Sequence, residues 1–328
     1  MTKLSNTAVN LYNQCSFCYY LHYKEGIRPV KTSSALVFGS ALDTALNHLL
    51  LNRKIIEAKS TFYNEWFQYK TDPNIVYFKS DLDEELLNHL SIYDNKNLEW
   101  QTLMTKGMMF IDAYYNEVLP KIKKVLSVQE PISIKNNEGD EISGFLDLVV
   151  EWEDGKTYLM DNKSSGRLYD ANSAKEGQQI PLYHYAVKDK YKLDGIGYIV
   201  LIKKINMNKT KTCTKCERVN NSSHKKCNEE FIMVTDVDRK EKVVTANFKR
   251  CNGDFKITIN PSVDIQYVFN KVEESDENRV LEAFDKANYG ISNNLFANEH
   301  VKERGKYGFC PYREFYEGSP DFYKKELK

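Results

Sequence analysis

Residues 144–165, GFLDLVVEWEDGKTYLMDNKSS, place two aspartates and a lysine inside two stretches that otherwise have the pattern of buried strands. A hairpin at EDGK would bring Asp147 near Asp161, and alternation along the second strand puts Asp161 and Lys163 on one side. Two converging carboxylates bind a hard divalent cation such as Mg²⁺ or Mn²⁺. Lys163 could then orient a water and offset negative charge on a phosphate, so the spacing indicates metal-assisted hydrolysis.

The same residues have a second interpretation, a solvated strand edge with a surface ion pair, because D…DxK alone is a weak pattern. The neighbouring sequence favours chemistry. Gln179 and Tyr183, in the helical segment that follows, are four residues apart and therefore share a helix face. Both side chains could point at the two carboxylates.

The elements that must position these residues follow from the spacing of apolar residues. Helices are predicted from Ser33 or Ser34 onward, then over 55–70 and 81–118, and short strands begin at about residue 125. GIGYIVLIKKI predicts a further strand, and the last 70 residues are predicted to be mostly helical, from PSVDIQYVFNKVEE through ENRVLEAFDKAN. This order of elements predicts a mixed α/β core.

Composition narrows the class of protein. The 328 residues carry 46 basic and 46 acidic side chains, so any nucleic-acid binding must use a local patch. The N-terminus has no signal-like segment and no apolar run of about 18 residues stands out, which predicts a cytoplasmic protein without membrane partners. Close cysteine pairs in such a protein point to metal more than to disulfides.

Four of the seven cysteines fall late in the chain. Cys213, Cys216, Cys227 and Cys251 form the preferred ligand set for a structural Zn²⁺ ion, and His224 is the substitute fourth ligand. Scattered free thiols are the alternative. Between residues 203 and 226 there are eight Lys or Arg residues and a single acid, Glu217, so this stretch is either a solvated loop or a surface for phosphates.

The order of three short motifs carries a resemblance to a known family. G-x-x-D at Gly144–Asp147, D-x-K at Asp161–Lys163 and Q-x-x-x-Y at Gln179–Tyr183 resemble the RecB-type branch of the PD-(D/E)XK nuclease superfamily. That branch includes phage and bacterial exonucleases and relatives among CRISPR-associated and mitochondrial single-strand exonucleases. SSALVFGSALDTALN resembles its first helix, and CSFCYYLHY resembles its opening cysteine-aromatic segment.

The resemblance implies a restriction-endonuclease-like α/β core, with a mixed central sheet flanked by helices. The implied organisation is a helical N-terminal part over 1–124, a catalytic core over 125–205, a zinc-binding insertion over 206–256 and a helical C-terminal part over 257–328 that packs back on the core.

The resemblance also assigns roles to residues. Asp147 and Asp161 would ligate Mg²⁺ or Mn²⁺ together with the main-chain carbonyl of Asn162, and Lys163 would assist the attacking water. Substrate contacts would come from Gln179 and Tyr183.

Two assignments depart from this pattern or extend it. The family often has a histidine ligand four residues after the glycine of the first helix, whereas Gly39 is followed here by Asp43. Asp43 is predicted to be a metal ligand, and a cap or solvent-facing residue is the alternative. Glu130 is considered for the outer shell of the site.

Cys15, Cys18 and Cys310 raise the question of an iron–sulfur cluster, which some relatives build from four cysteines. Three thiols are one short of that number, so the two ends of the chain are expected to pack together without a cluster.

The resulting prediction is a Mg²⁺- or Mn²⁺-dependent deoxyribonuclease, an exonuclease on single-stranded DNA or DNA ends, serving phage or bacterial recombination, repair or replication. The chain contains no G-x-x-x-x-G-K-[ST] segment, so a separate helicase or single-strand-binding protein would prepare its substrate. The alternatives are a non-catalytic nucleic-acid-binding protein with a nuclease-like fold and a structure-specific or RNA-directed endonuclease.

Overall fold

The computed structural model describes residues 4–91, 97–135, 141–219, 226–227, 229–238, 243–297, 312 and 323–325. The chain divides into two compact units. The first comprises residues 1–83, 94–204 and 263–328, and the second comprises residues 84–93 and 205–262.

Nine α-helices lie in the described part of the chain. They are α1 Asn6–Gln14, α2 Ser16–Tyr19, α3 Ser34–Asn52, α4 Ile55–Phe67, α5 Glu84–His89, α6 Leu98–Ala113, α7 Ser173–Glu176, α8 Gln179–Tyr191 and α9 Glu274–Ser292. Short π-helical turns at Tyr20–Lys24 and Tyr114–Val118 and 3₁₀ turns at Lys79–Asp81 and Leu119–Lys121 join or extend them.

Helix α3 carries one edge of the site. It begins where the Ser33 hydroxyl accepts a hydrogen bond from the Leu36 amide at 3.4 Å, and it ends at Arg53, whose φ is 54°. Its buried face, led by Phe38, Leu42 and Leu46, packs on α4 and α6. By length and composition α3 is also long and apolar enough to cross a membrane, although no such run stood out in the sequence. Half of that stretch is buried in this fold.

Twelve β-strands lie in the same part of the chain. They are β1 Leu4–Ser5, β2 Ile27–Pro29, β3 Thr32–Ser33, β4 Ile75–Val76, β5 Ile122–Lys135, β6 Glu141–Trp152, β7 Thr157–Ser165, β8 Gly195–Cys213, β9 Glu230–Asp238, β10 Val243–Arg250, β11 Phe255–Asn270 and β12 Tyr323–Lys325.

The central sheet has the order β1-β6-β7-β8-β11, and β5 also pairs with β6. Strand β6 is antiparallel to β5 and β7, whereas β7 runs parallel to β8 and β1 runs parallel to β6. The predicted α/β fold with a mixed central sheet flanked by helices is therefore confirmed. The main core lies between this sheet and helices α1, α8 and α9; it includes Leu146, Val149, Leu159, Ile196, Val200, Ile180, Leu182, Val280, Leu281 and Phe284.

The sheet opens where β6 and β7 part. Their pairing covers Leu148–Glu151 on β6 and Thr157–Met160 on β7. Beyond that point β6 pairs with β1 at Ile142 and Ser143, and β7 pairs with β8. Asp147 and Asp161 are the first residues past the last pair, Leu148 and Met160. The point where the two strands diverge, called the fork below, therefore carries both carboxyl groups.

The prediction of helix from residue 261 onward is wrong at its start. Residues 255–270 form β11, and helix begins only at Glu274, after a capping box between Glu273 and Asp276. Residues 263–269 alternate apolar and polar side chains over part of their length, and β8 offers an open edge for pairing. Sheet pairing with a distant strand outweighed the local helical pattern.

The two ends of the first unit are in contact in their described parts. Tyr312 is buried, its hydroxyl group lies 2.6 Å from His22 Nδ1, and it donates to the Ile27 carbonyl at 3.0 Å. Strand β12 pairs with β2. Cys15 and Cys18 form a disulfide, with Cα atoms 5.2 Å apart, so the preference for metal over disulfide is wrong for this pair. Cys310 lies outside the described residues.

Candidate active site

The fork between β6 and β7 brings the two motif aspartates together. Asp147 and Asp161 lie within hydrogen-bonding reach of each other, and Asp161 is only 4% exposed. Burial, and then the negative charge of Asp147, raise the pKa of Asp161 well above its usual range, although the nearby Lys163 opposes this. Two carboxyl groups this close need a proton or a cation between them.

Lys163 is the positive side chain at this point. Its ammonium group pairs with Asp161 and lies 5.8 Å from the centre of the Tyr198 ring. Burial alone would lower the pKa of Lys163, but the Asp161 carboxylate outweighs burial and raises it above the usual lysine value. Lys163 is therefore an ammonium ion at neutral pH, suited to orient or stabilise negative charge.

Asp43 reaches the same place from α3. Its Oδ2 atom accepts hydrogen bonds from Asn47 at 3.0 Å and from Gln129 at 3.1 Å. Burial, followed by the negative charge of Asp147, raises the pKa of Asp43 to about 6. Asp43 thus joins the cluster that Asp147 and Asp161 form, 104 residues upstream of the first of them in the chain.

These groups line a single cavity of about 410 Å³. Its walls come from α3, from the fork, from the start of α8 and from β8. The lining residues are Ala35, Leu36, Gly39, Ser40, Leu42, Asp43, Leu46, Asp147, Asp161, Asn162, Lys163, Ser164, Gln179 and Leu201.

The donor set fits a divalent cation. Three carboxylates and one ammonium group carry a formal charge of −2, which one divalent ion would neutralise. Burial first, and then the negative charge of Asp147, raise the pKa values of Asp43 and Asp161, and a bound cation would oppose both effects. Carboxylate oxygens are the ligands that Mg²⁺ and Mn²⁺ prefer, so the residues at the fork could hold either metal.

The remaining predicted residues occupy different positions around the fork. Gln179 lines the cavity. The side-chain oxygen of Asn162 accepts a hydrogen bond from the Tyr114 hydroxyl group at 3.1 Å, while its backbone lies in β7. Tyr183 is buried beneath β6, where the Phe145 amide bonds its oxygen, so its predicted substrate contact stays a prediction.

Sequence reasoning missed Gln129. Its Nε2 atom donates to Asp43 Oδ2 at 3.1 Å and to Asp147 Oδ1 at 3.3 Å. Glu130, considered for the outer shell, is held instead by Ser127 and Lys190. The strand pairs Val128–Leu148 and Glu130–Leu146 place Gln129 opposite Asp147, but only a known register provides that signal.

The second unit holds a separate candidate metal centre. Four Sγ atoms all lie within 4.8 Å of one another, those of Cys213, Cys216, Cys227 and Cys251. The Sγ atoms of Cys213 and Cys251 are 3.3 Å apart, and those of Cys216 and Cys227 are 3.7 Å apart. Four sulfur atoms at this spacing suit a tetrahedral ion.

Backbone groups support this cluster. The amides of Lys215 and Cys216 donate to Cys213 Sγ at 3.3 and 3.5 Å. Burial opposes ionisation of Cys213, but these amides outweigh it and lower the pKa of its thiol to about 6. A Cβ on Gly253 would lie 2.5 Å from the same sulfur, so only glycine leaves room for it. His224, the substitute ligand, lies outside the described residues.

Ion pairs partly neutralise the basic residues of the second unit. Lys209 pairs with Glu85 at 3.7 Å, Arg218 with Glu229 at 3.1 Å, and Lys226 with Asp254 at 3.8 Å. These pairs are solvent-exposed and therefore weak, so phosphates could compete for the basic side chains.

Comparison with known proteins agrees with this geometry. The family model of the PD-(D/E)XK nuclease superfamily matches residues 3–315. A search of curated proteins finds no match. Membership in this superfamily implies a metal-dependent nuclease that acts on DNA. The match spans nearly the whole sequence and includes the fork with its carboxylates, and the chain therefore belongs to the PD-(D/E)XK nuclease superfamily.

Proposed function

We propose that this protein is a Mg²⁺- or Mn²⁺-dependent deoxyribonuclease of the RecB-type branch, an exonuclease that hydrolyses phosphodiester bonds in single-stranded DNA or at DNA ends. The observation that carries the proposal is the convergence of Asp43, Asp147 and Asp161 with the Lys163 ammonium group in one cavity. A purely structural protein would gain nothing from gathering three mutually repelling carboxylates, of which Asp161 is buried and Asp43 and Asp147 are half-buried.

Each residue has a defined part in this reaction. Asp43, Asp147 and Asp161, with the main-chain carbonyl of Asn162, would hold the divalent ion. When bound, that ion would supply Lewis-acid chemistry that activates water and offsets negative charge on the phosphate. Lys163 orients the attacking water and stabilises the negative charge of the transition state. Gln179, at the cavity wall, contacts the nucleic-acid backbone.

Apolar side chains near the cavity support a substrate with unpaired bases. Leu36 lines the cavity and is 68% exposed. Phe145 is 58% exposed and precedes Asp147 by two residues on the same strand, so alternation places both on one side. Base stacking on an aromatic ring such as that of Phe145 tolerates any sequence, as an exonuclease requires.

The cysteine cluster has a structural part in the proposal. Zn²⁺ bound by Cys213, Cys216, Cys227 and Cys251 would order the insertion predicted at residues 206–256, and a closed four-sulfur site leaves no open position for catalysis. We place no iron–sulfur cluster in the protein.

Digestion of single-stranded DNA labelled at either end tests the proposal. The reactions contain Mg²⁺, Mn²⁺ or chelator, and the variants are Asp161→Ala and Lys163→Ala, with the exposed Lys156→Ala as the matched control. Release of mononucleotides or short oligomers by wild type and Lys156→Ala, but not by the two site variants, is the expected result. Cleavage of circular DNA or of RNA would identify an endonuclease or an RNA-directed enzyme instead.

A non-catalytic nucleic-acid-binding protein is the second candidate, favoured only by the weakly paired basic residues of the second unit. Salt-sensitive DNA binding without cleavage under any metal condition would support it. A separate helicase or single-strand-binding protein would be the partner that provides single strands to the exonuclease.

A further inference from the structure

Gln129 links two carboxylates that the chain brings from different elements. A single side-chain amide donates both to Asp43 Oδ2, from α3, and to Asp147 Oδ1, from β6. Asp43 is 86 residues from Gln129 in sequence, so this amide fixes a long-range relationship at the centre of the cluster. The two bonds engage one oxygen of each carboxylate, and the other oxygen of each can turn toward a cation.

The backbone at Gln129 is unusual for its residue type. Its φ is 50°, a left-handed conformation that non-glycine residues rarely adopt, although its neighbours Val128 and Glu130 are both paired with β6. A strained position that persists inside a paired strand must be held by its surroundings, and such positions concentrate at functional sites.

Hydrogen bonds to Glu130, the next residue, help to hold this conformation. Glu130 receives hydrogen bonds from Ser127 at 2.7 Å, from Lys190 at 2.5 Å and from the Tyr191 hydroxyl group. Lys190 and Tyr191 belong to the last turn of α8, whose first residue, Gln179, lines the cavity. Glu130 anchors the strand to α8 on one side of Gln129. On the other side, the Gln129 side chain reaches Asp43 and Asp147.

We propose that Gln129 is a positioning residue of the metal site: its amide holds Asp43 and Asp147 in the geometry that ligates the divalent ion. This inference rests on the proposed function, since it presumes that the cluster binds metal. Gln129 touches neither the substrate nor the ion; it acts through the two carboxylates, as outer-shell partners of metal ligands do.

The test separates backbone strain from the role of the amide. Gln129→Gly relaxes the left-handed backbone but removes the amide, and Gln129→Asn tolerates that backbone with a shorter amide. Lys192→Gly is the matched control, because Lys192 also has φ 50° and lies at the C-terminal end of α8. Mn²⁺ binding is measured by titration calorimetry, stability by urea unfolding, and the metal dependence of cleavage by kinetics.

We expect Gln129→Gly to be at least as stable as wild type and yet to bind Mn²⁺ about 10- to 100-fold more weakly. Its cleavage rate should recover at saturating Mn²⁺, Gln129→Asn should be intermediate, and Lys192→Gly should bind Mn²⁺ as wild type does. Wild-type Mn²⁺ affinity in both Gln129 variants would overturn the inference while leaving the nuclease proposal intact. Absence of Mn²⁺ binding by wild type would overturn both.

If Gln129→Gly does not fold, Gln129→Asn decides the matter by itself. Reduced Mn²⁺ affinity in that variant supports the positioning role, and unchanged affinity refutes it.

Discussion

Gly144 and Tyr183 occupy adjoining space at the base of β6. A Cβ placed on Gly144 would lie 2.6 Å from the Tyr183 hydroxyl oxygen and 2.9 Å from two of its ring carbons. The glycine of the G-x-x-D motif therefore makes room for the tyrosine of the Q-x-x-x-Y motif. Because Gly144 precedes Asp147 by three residues, this contact sets the path of the strand that carries a predicted metal ligand.

The first prediction concerns this contact. Gly144→Ala should destabilise the protein by about 1–3 kcal/mol, because the added methyl group overpacks against Tyr183. Cleavage should fall as well, since β6 must shift near Asp147. Addition of Tyr183→Phe should recover part of the stability by removing the closest atom. Gly166→Ala is the control, since its added carbon meets open space. Urea unfolding that shows equal effects for both alanine variants would refute this account.

The second prediction concerns the repulsion within the carboxylate cluster. Asp43→Asn should raise the melting temperature of the metal-free protein, because it removes one negative charge from a buried cluster. The same variant should bind Mg²⁺ at least about tenfold more weakly and lose most of the stabilisation that Mg²⁺ gives wild type. Thermal melts with Mg²⁺ and with chelator measure both effects. A metal-free melting temperature below that of wild type would contradict the repulsion argument.

The third prediction concerns the cysteine cluster. Purified protein should contain one Zn²⁺ ion per chain, and Cys213→Ser or Gly253→Ala should lower that content, since each disturbs the same sulfur atom. Metal analysis with limited proteolysis of residues 205–262 is the measurement, and chelation should increase cleavage there. His224→Ala should retain Zn²⁺. Loss of Zn²⁺ in His224→Ala, with retention in Cys251→Ser, would make His224 the fourth ligand.

The fourth prediction concerns Phe145. Removal of a stacking ring costs about 1–3 kcal/mol per base, so Phe145→Ala should raise KM for single-stranded DNA about 5- to 150-fold with little change in kcat. Wild type should bind an abasic substrate more weakly than intact DNA. Phe145→Ala should bind the two substrates equally well. Ile56→Ala is the control, since Ile56 is 81% exposed and lies on α4, whereas Phe145 lies on the strand that carries Asp147. Equal loss in both variants would argue against base stacking.

The fifth prediction concerns pH. His184 is buried against Glu277, with Nδ1 2.8 Å from its Oε1 atom, and Lys188 pairs with the other oxygen. Burial, with the Lys188 charge, lowers the pKa of His184 below its usual 6.5 although Glu277 opposes this. At His184 the unfolded chain therefore binds a proton more readily than the folded one, so the contribution of His184 to stability should fall as the pH drops below about 6.5.

Urea unfolding between pH 5 and 8 checks this direction, with His184→Gln as the comparison. As the pH falls, the variant should gain stability relative to wild type, by at most about 1.4 kcal/mol per pH unit for one proton. Identical slopes for the two proteins would exclude His184 as the responsible group.

The sequence by itself determined which residues lie close together because of local backbone geometry. Spacing within one hairpin placed Asp147 near Asp161 and Lys163, and C-x-x-C spacing placed Cys213 near Cys216, because the strand and turn geometry that joins them is local. The alternation of helical and strand periods likewise indicated the mixed α/β core. These features needed no knowledge of which distant elements pack together.

Only the tertiary structure decided which distant residues meet at the fork. Asp43 on α3 and Gln129 on β5 reach Asp147 through packing between elements, and no spacing along the chain encodes that contact. Residues 261–270 became part of strand β11 because β8 has a pairing edge there, against the local prediction of a helix. The physical reason is the same in both cases: hydrogen bonds and burial between segments far apart in sequence outweigh the weak preferences of each segment alone.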